Sequence, residues 1–199
     1  VYGAPNYRRT GLNVYGVAQP TLIGLSTVLR LQGCSREGSR RAWWFNLREE
    51  PMLYIRGRPF VLRDAAAPFH NMRAFTGISA ARLEQMEGRL RAEVEEEARR
   101  SGDGVVLVHE EAPDGRELVA SLIAADELKT SRELFEWLGA DGWRVAYHRI
   151  PVSHGQSPLD AAFIDALAER FREIPVDAAV IFSCGMGVGR SKPPWKTNT

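Results

Sequence analysis

The residues best suited to chemistry lie near the end of the chain, in Cys184-Gly-Met-Gly-Val-Gly-Arg190-Ser191. A thiol and a guanidinium stand there on either side of a glycine-rich turn. The apolar run Ala178-Ala-Val-Ile-Phe-Ser183 leads into it, so Cys184 is expected where a strand ends and the backbone bends. Gly185, Gly187 and Gly189 permit the backbone to curl its N–H groups around an anion, with Met186 and Val188 between them. Such donors, together with Arg190, favour thiolate over thiol and lower a cysteine pKa from about 8.5. A thiolate beneath a bound phosphoryl group is an in-line nucleophile. The planar fork of Arg190 matches two phosphoryl oxygens, and the Ser191 hydroxyl can assist the departing thiolate. A lone cysteine at a strand end is otherwise a small buried hydrophobe. Three alternating glycines followed by Arg-Ser are not needed for that role.

Bulk properties bound the setting. The chain has 199 residues, 44% of them hydrophobic, enough for a single core. Two cysteines make no disulfide framework and fit a reducing, cytoplasmic compartment. No apolar run has the length of a membrane span, and no signal peptide opens the sequence. The net charge is only +1, yet the stretch from Val1 to Arg63 carries ten arginines against three glutamates. That surplus can turn one face toward a polyanion. Basic and aromatic residues do not interleave as they do in nucleic-acid-binding surfaces, so nucleic acid is not expected as a partner.

The elements that must position the thiol alternate along the chain. Gln19-Pro20 opens a helix through Thr21 to Leu31, which Gly33 closes. Arg41 to Leu47 reads as a buried strand, and Met52 to Ile55 with Phe60 to Leu62 as a hairpin turned at Arg56-Gly57-Arg58. Ser79 caps a long charged helix reaching about Arg100, where Ser-Gly-Asp-Gly stops it. Its run Glu95-Glu-Glu97 reads as a solvated face. Val105 to His109 is an apolar strand with His109 at its end, and Pro113-Asp-Gly115 separates it from a second extended piece. A helix over Ser131 to Leu138 is expected to break at Gly139 and Gly142. The strand Trp143 to Ile150, the loop Pro151 to Pro158 and an amphipathic helix from Leu159 to Glu173 complete the order before the last strand. This alternation predicts an α/β fold: a largely parallel sheet with helices on both faces and ligands at the carboxyl ends of the strands.

Several blocks carry a resemblance. Gly3-Ala-Pro-Asn6, Gly16-Val-Ala-Gln-Pro20, Trp44-Phe-Asn-Leu-Arg-Glu-Glu-Pro51, Gly57-Arg-Pro-Phe-Val-Leu-Arg63, Met72-Arg-Ala-Phe-Thr-Gly-Ile78 and Cys184 to Arg190 resemble one repeat of the paladin group. That group is similar to the cysteine phytases of the tyrosine phosphatase superfamily. The resemblance runs over nearly the whole chain to Ser191. It implies a cysteine-phosphatase-like fold, no metal or cofactor, and a phosphorylated inositol or a phosphoinositide head group as partner, with phosphotyrosine a further candidate. It also implies that the domain belongs to a longer multi-repeat chain. Carried over by position, Cys184 is the nucleophile, Gly185, Met186, Gly187, Val188 and Gly189 form the phosphate cradle, and Arg190 is the transition-state clamp. Ser191 stands where relatives usually have Thr.

Two departures shape the expectation. The loop that holds the superfamily's acidic proton donor reads Val152-Ser-His-Gly-Gln-Ser-Pro158, with Gly155 in place of an acid often found before the Gln. Asp160 is the nearest carboxylate and the candidate acid, although it also suits a helix N-terminus, and His154 is the other candidate donor. Loss of an acid costs about 10² to 10⁴ in rate. The second departure is Lys192-Pro-Pro-Trp-Lys-Thr-Asn-Thr199, whose prolines oppose the helix expected after the arginine. The division expected is a phosphatase-like domain over 1–191, apparently truncated after the phosphate-binding loop, and an irregular tail over 192–199. Arg48 is read as a further phosphate contact or as an ion-pair partner of Glu49. Cys34 is read as a buried or surface thiol. Two functions stay open: a phosphomonoester hydrolase working through cysteinyl phosphate, and an inactive phosphate-binding module that keeps Cys184 and Arg190 for recognition.

Overall fold

The structure is a computed structural model that describes residues 1–70, 72–112, 117–152 and 161–187. The chain enters through a hairpin, β1 (Arg8–Gly11) and β2 (Val14–Ala18), and continues into helix α1 (Leu22–Leu31). Thr21 caps α1 by accepting the Gly24 N–H at 3.2 Å, and Gly33 follows the helix at φ +69°, so Pro20 and Gly33 bracket it as their chemistry demands. Strand β3 (Ala42–Asn46) is buried throughout its length. Strands β4 (Met52–Ile55) and β5 (Arg58–Val61) form the hairpin expected at Arg56-Gly57. Helix α2 (Ala80–Ser101) starts at the Ser79 cap and ends on Gly102 at φ +80°. Then come β6 (Val105–Glu111), β7 (Leu118–Ala124), β8 (Leu128–Thr130), α3 (Ser131–Ala140), β9 (Val145–Arg149), α4 (Ala161–Phe171) and β10 (Ala179–Cys184).

The main sheet has five strands in the order β1-β2-β10-β3-β9. β10 lies parallel between β2 and β3, β3 is parallel to β9, and only the edge strand β1 runs antiparallel. Alternate side chains of these strands enter two cores. One face joins Trp44, Ala179 and Ile181 to Leu25, Val28 and Leu29 of α1 and to Leu134, Phe135 and Leu138 of α3. The other joins Trp43, Phe45, Val180 and Cys184 to Leu167 of α4 and to Ile174. Helices therefore cover both faces, which explains why β3 is apolar at successive positions. Burying Trp44, only 1% exposed, contributes about 2–3 kcal/mol.

Not every strand joins this sheet. β4 pairs with β5 and β8 in a separate antiparallel sheet, and β6 pairs only with β7 in an antiparallel ribbon. The ribbon seats Val106 and Val108 on Ala98 and Val94 of α2, so the apolar run that reads as a parallel strand finds its partner in a helix instead. β6 also continues past His109, which is an exposed mid-strand residue opposite Ala120 rather than a strand end. α3 runs through Gly139 to Ala140, because its Thr130–Glu133 capping box and four buried residues outweigh one glycine. The strands β1, β2 and β8 are absent from the sequence reading; Gly16 inside a five-residue strand masks its period. The tail 192–199 lies outside the described residues. Among the described residues, no helix is long and apolar enough to cross a membrane.

Candidate functional site

Cys184 is the last residue of the central strand, paired in register with Ala18 of β2. Its neighbour Ser183 faces the opposite core, where its hydroxyl accepts the Trp44 indole N–H at 2.9 Å. The strand's end is thereby fixed in rotation. The Cys184 side chain is 2% exposed and shares its cluster with Phe45, Leu47 and Val152. β2, β10, β3 and β9 all present their carboxyl ends at this edge, the usual location of a ligand in such sheets.

The turn after Cys184 leans on the start of the chain. Gly187 lies at φ +72°, and a Cβ there would stand 2.4 Å from the Ala18 nitrogen and 2.7 Å from the Val17 carbonyl carbon. Only glycine satisfies both the backbone angle and the contact. The Gly185 carbonyl accepts the Gln19 N–H at 3.4 Å, the Met186 carbonyl accepts the Asn6 amide at 2.8 Å, and the Gly187 carbonyl accepts the Arg8 guanidinium. Three successive carbonyls are thus taken from one side.

The opposite flank is built from charged side chains. Arg149 ends β9 with its guanidinium fully buried, donating to Glu87 at 3.1 Å, to the Arg48 carbonyl at 2.9 Å and to the Glu50 carbonyl at 3.2 Å. Glu87 also accepts the amides of Met52 and Ser131, at 3.2 and 3.3 Å. Burial pushes the Glu87 carboxyl upward, while Arg149 and those two amides pull it back. Arg48 is buried, and its Nε donates to Glu50 at 3.2 Å. The segment that follows β3 is therefore locked beside Cys184. His148, one residue before Arg149, stacks between Trp43 and Phe45 with centroids 4.9 and 5.2 Å away. Burial, helped by Arg170, pushes its pKa below 6.5.

Of the residues singled out in the sequence, Cys184, Gly185, Met186 and Gly187 are brought together at this edge. Val188, Gly189, Arg190 and Ser191 lie outside the described residues, as do Asp160, His154 and Gly155. Cys34 is fully buried in the first core, and burial raises its thiol to about 11. The glutamate run pairs with arginines on the helix surface, Glu95 with Arg91 and Glu96 with Arg100. Sequence reasoning passed over Asn6, Arg8, Glu87 and Arg149. One signal for Glu87 was present, since it continues the stripe Leu83, Leu90, Val94, Ala98 on the core side of α2. A carboxylate at that spacing needs a buried cation.

Comparison with known proteins bears on the same residues. A sequence model of the protein tyrosine phosphatase-like phytase family, described as inositol hexakisphosphate, matches residues 45–192. Human paladin is 32% identical over 206 residues, covering 95% of this chain and 24% of that protein. The chain thus spans about a quarter of its length, the extent of one repeat. Among solved structures, the PTP-like myo-inositol phosphatase of Mitsuokella multacida, in complex with myo-inositol-(1,3,4,5)-tetrakisphosphate, superposes with a TM-score of 0.69 at 20% identity. It covers 94% of this chain and 29% of that one. The tandemly repeated PTP-like phytase of the same organism gives a TM-score of 0.68 at 18% identity, over 93% of this chain and 29% of that one. At such identities the two structures share the fold.

Proposed function

Since the chain belongs to the PTP-like phytase family, we propose that it binds a phosphorylated inositol or phosphoinositide head group at the turn after Cys184 and hydrolyses a phosphomonoester there. One observation carries this reading: a cysteine ends the central parallel strand, and the glycine turn that follows has its carbonyls drawn to the outside. The peptides are trans, so each outward carbonyl sends the next N–H the other way, and the N–H groups of Met186 and Gly187 face away from the N-terminal segment. Successive amides so turned make an anion nest.

In the reaction, the Cys184 thiolate attacks phosphorus and the bond to the inositol oxygen breaks. Asp160 gives its proton to that oxygen. Arg190 holds the equatorial phosphoryl oxygens, which carry the growing charge. Water then attacks the cysteinyl phosphate, expelling the thiolate and releasing phosphate, with Ser191 donating to the sulfur. The arginine surplus of the first third supports a polyanionic substrate.

A second reading, recognition without turnover, is favoured by Cys184 being only 2% exposed and by Gly155 where an acid is usual. Phosphate release from inositol hexakisphosphate, measured for the chain and for Cys184→Ser, separates the two. Release by the chain and none by Cys184→Ser supports the hydrolase. Calorimetric binding without release supports the module, and equal release from both proteins refutes the nucleophile.

A further inference from the structure

The block Gly3-Ala-Pro-Asn6 has no part in the chemistry just described, yet the chain places it against the turn after Cys184. Its own path is tightly held. Ala4 is fully buried, the Gly3 carbonyl accepts the Thr21 N–H at 2.8 Å, and the Pro5 carbonyl accepts the Ala18 N–H at 2.8 Å. Gly3 fits so closely on α1 that a Cβ on Gly24 would overlap the Gly3 carbonyl. The segment is therefore fixed to both β2 and α1 before it reaches the turn.

Asn6 sits at φ +54°, a left-handed conformation that Asn tolerates better than most residues. That bend aims its amide at the Met186 carbonyl. Arg8 lies over Gly16, where a Cβ would meet its Nη2 at 2.9 Å, so the bare glycine leaves space for the guanidinium. From there one Nη1 reaches both the Asn6 carbonyl, at 3.1 Å, and the Gly187 carbonyl. One arginine thus ties the segment to itself and to the turn.

From these contacts we infer that Asn6 and Arg8 are positioning residues for the anion site. They hold the Met186 and Gly187 carbonyls outward and so keep the turn's N–H groups presented before any ligand arrives. Neither residue needs to touch the ligand. An unbraced turn with glycines at 185 and 187 would rotate its peptides freely, and each binding event would have to order them. The inference rests on the reading of this turn as a phosphate cradle.

The test is a ¹H–¹⁵N NMR titration of the 199-residue chain with inorganic phosphate, following the Met186 and Gly187 amides, alongside thermal melts. The wild-type chain is expected to show saturable shifts at both amides. Asn6→Gly keeps the left-handed backbone and removes only the amide donor; Arg8→Met removes the donor and the charge. Each is expected to weaken phosphate binding up to about tenfold, the size of one lost hydrogen bond, with little change in melting temperature. Arg8→Lys keeps the charge and one donor and is expected to recover part of the loss, which a purely structural defect would not predict. Should Asn6→Gly melt early, the comparison of Arg8→Met with Arg8→Lys carries the test. Unchanged affinity in the variants overturns the inference and leaves the cradle standing. Absence of phosphate-dependent shifts in the wild-type chain overturns both.

Discussion

On the β2 side of Cys184, the turn is held by main-chain carbonyls, one glycine and the edge of the N-terminal segment. On the β3 and β9 side, the neighbouring segment is held by charged side chains with no access to water. The first kind of support excludes a Cβ at Gly187 and asks only two side chains, Asn6 and Arg8, to meet main-chain carbonyls. The second depends wholly on identity, since a buried Glu87 without Arg149 is an uncompensated charge. The two flanks should consequently fail in different ways. Damage to the charged flank should unfold the domain, whereas damage to the main-chain flank should spoil the anion site first.

The largest effect expected is on the charged flank. Arg149→Met strands Glu87 and should cost about 3–5 kcal/mol in a denaturant melt. The double variant Arg149→Met/Glu87→Met should recover part of that, because the stranded charge is gone even though the Met52 and Ser131 amides and the Arg48 and Glu50 carbonyls lose these partners. A double variant no more stable than the single one would show that the network, rather than the pair, is the unit. On the other flank, Gly187→Ala forces a side chain into a left-handed backbone against the Val17–Ala18 peptide. It should cost about 1–3 kcal/mol and abolish phosphate binding. Retention of phosphate binding by Gly187→Ala would erase the contrast.

The smallest effect is a pH dependence located on the β9 side. His148 titrates below its ordinary 6.5 in the folded chain, chiefly through burial and then through Arg170, with Arg132 adding to the lowering and Glu173 opposing it. The unfolded chain therefore binds the proton more readily. Stability from this group is complete above pH 6.5 and declines as the pH falls through that value toward the depressed folded value. Melting temperature should drop between pH 7.5 and pH 5.5, and His148→Phe, which keeps the stack on Trp43 and Phe45, should narrow the drop. An unchanged difference in His148→Phe would assign the acid sensitivity to other groups.

These flanks also differ in how far they were legible beforehand. Gly187 was read from its spacing as a glycine that lets the backbone turn, in keeping with its φ of +72°, and β10, β3 and both ends of α1 and α2 follow from apolar runs, Pro20, Gly33, Ser79 and Gly102. Each of those signals acts within a few residues of the feature it governs. Arg149 was invisible because an arginine at a strand end ordinarily reaches solvent, and nothing nearby in sequence says that α2 closes over it. His109 was misplaced for a related reason: the period of β6 shows one apolar face, but not that the strand continues to Glu111 as half of a ribbon. The strand β2 escaped because Gly16 breaks its pattern, and the use of that gap, room for Arg8, exists only once the sheet has formed.

What this sequence determined by itself was local: which residues cap helices, which turn permits a left-handed glycine, and which cysteine stands before a glycine-rich turn. Propensity, capping and alternation depend on neighbours a few positions away, so they can be read along the chain. Tertiary structure alone decided that Asn6 meets Met186 across 180 positions and that Arg149 meets Glu87 across 62. A pattern can assign a side chain to a face, but the partner opposite that face comes from another element, brought there by the burial of both cores.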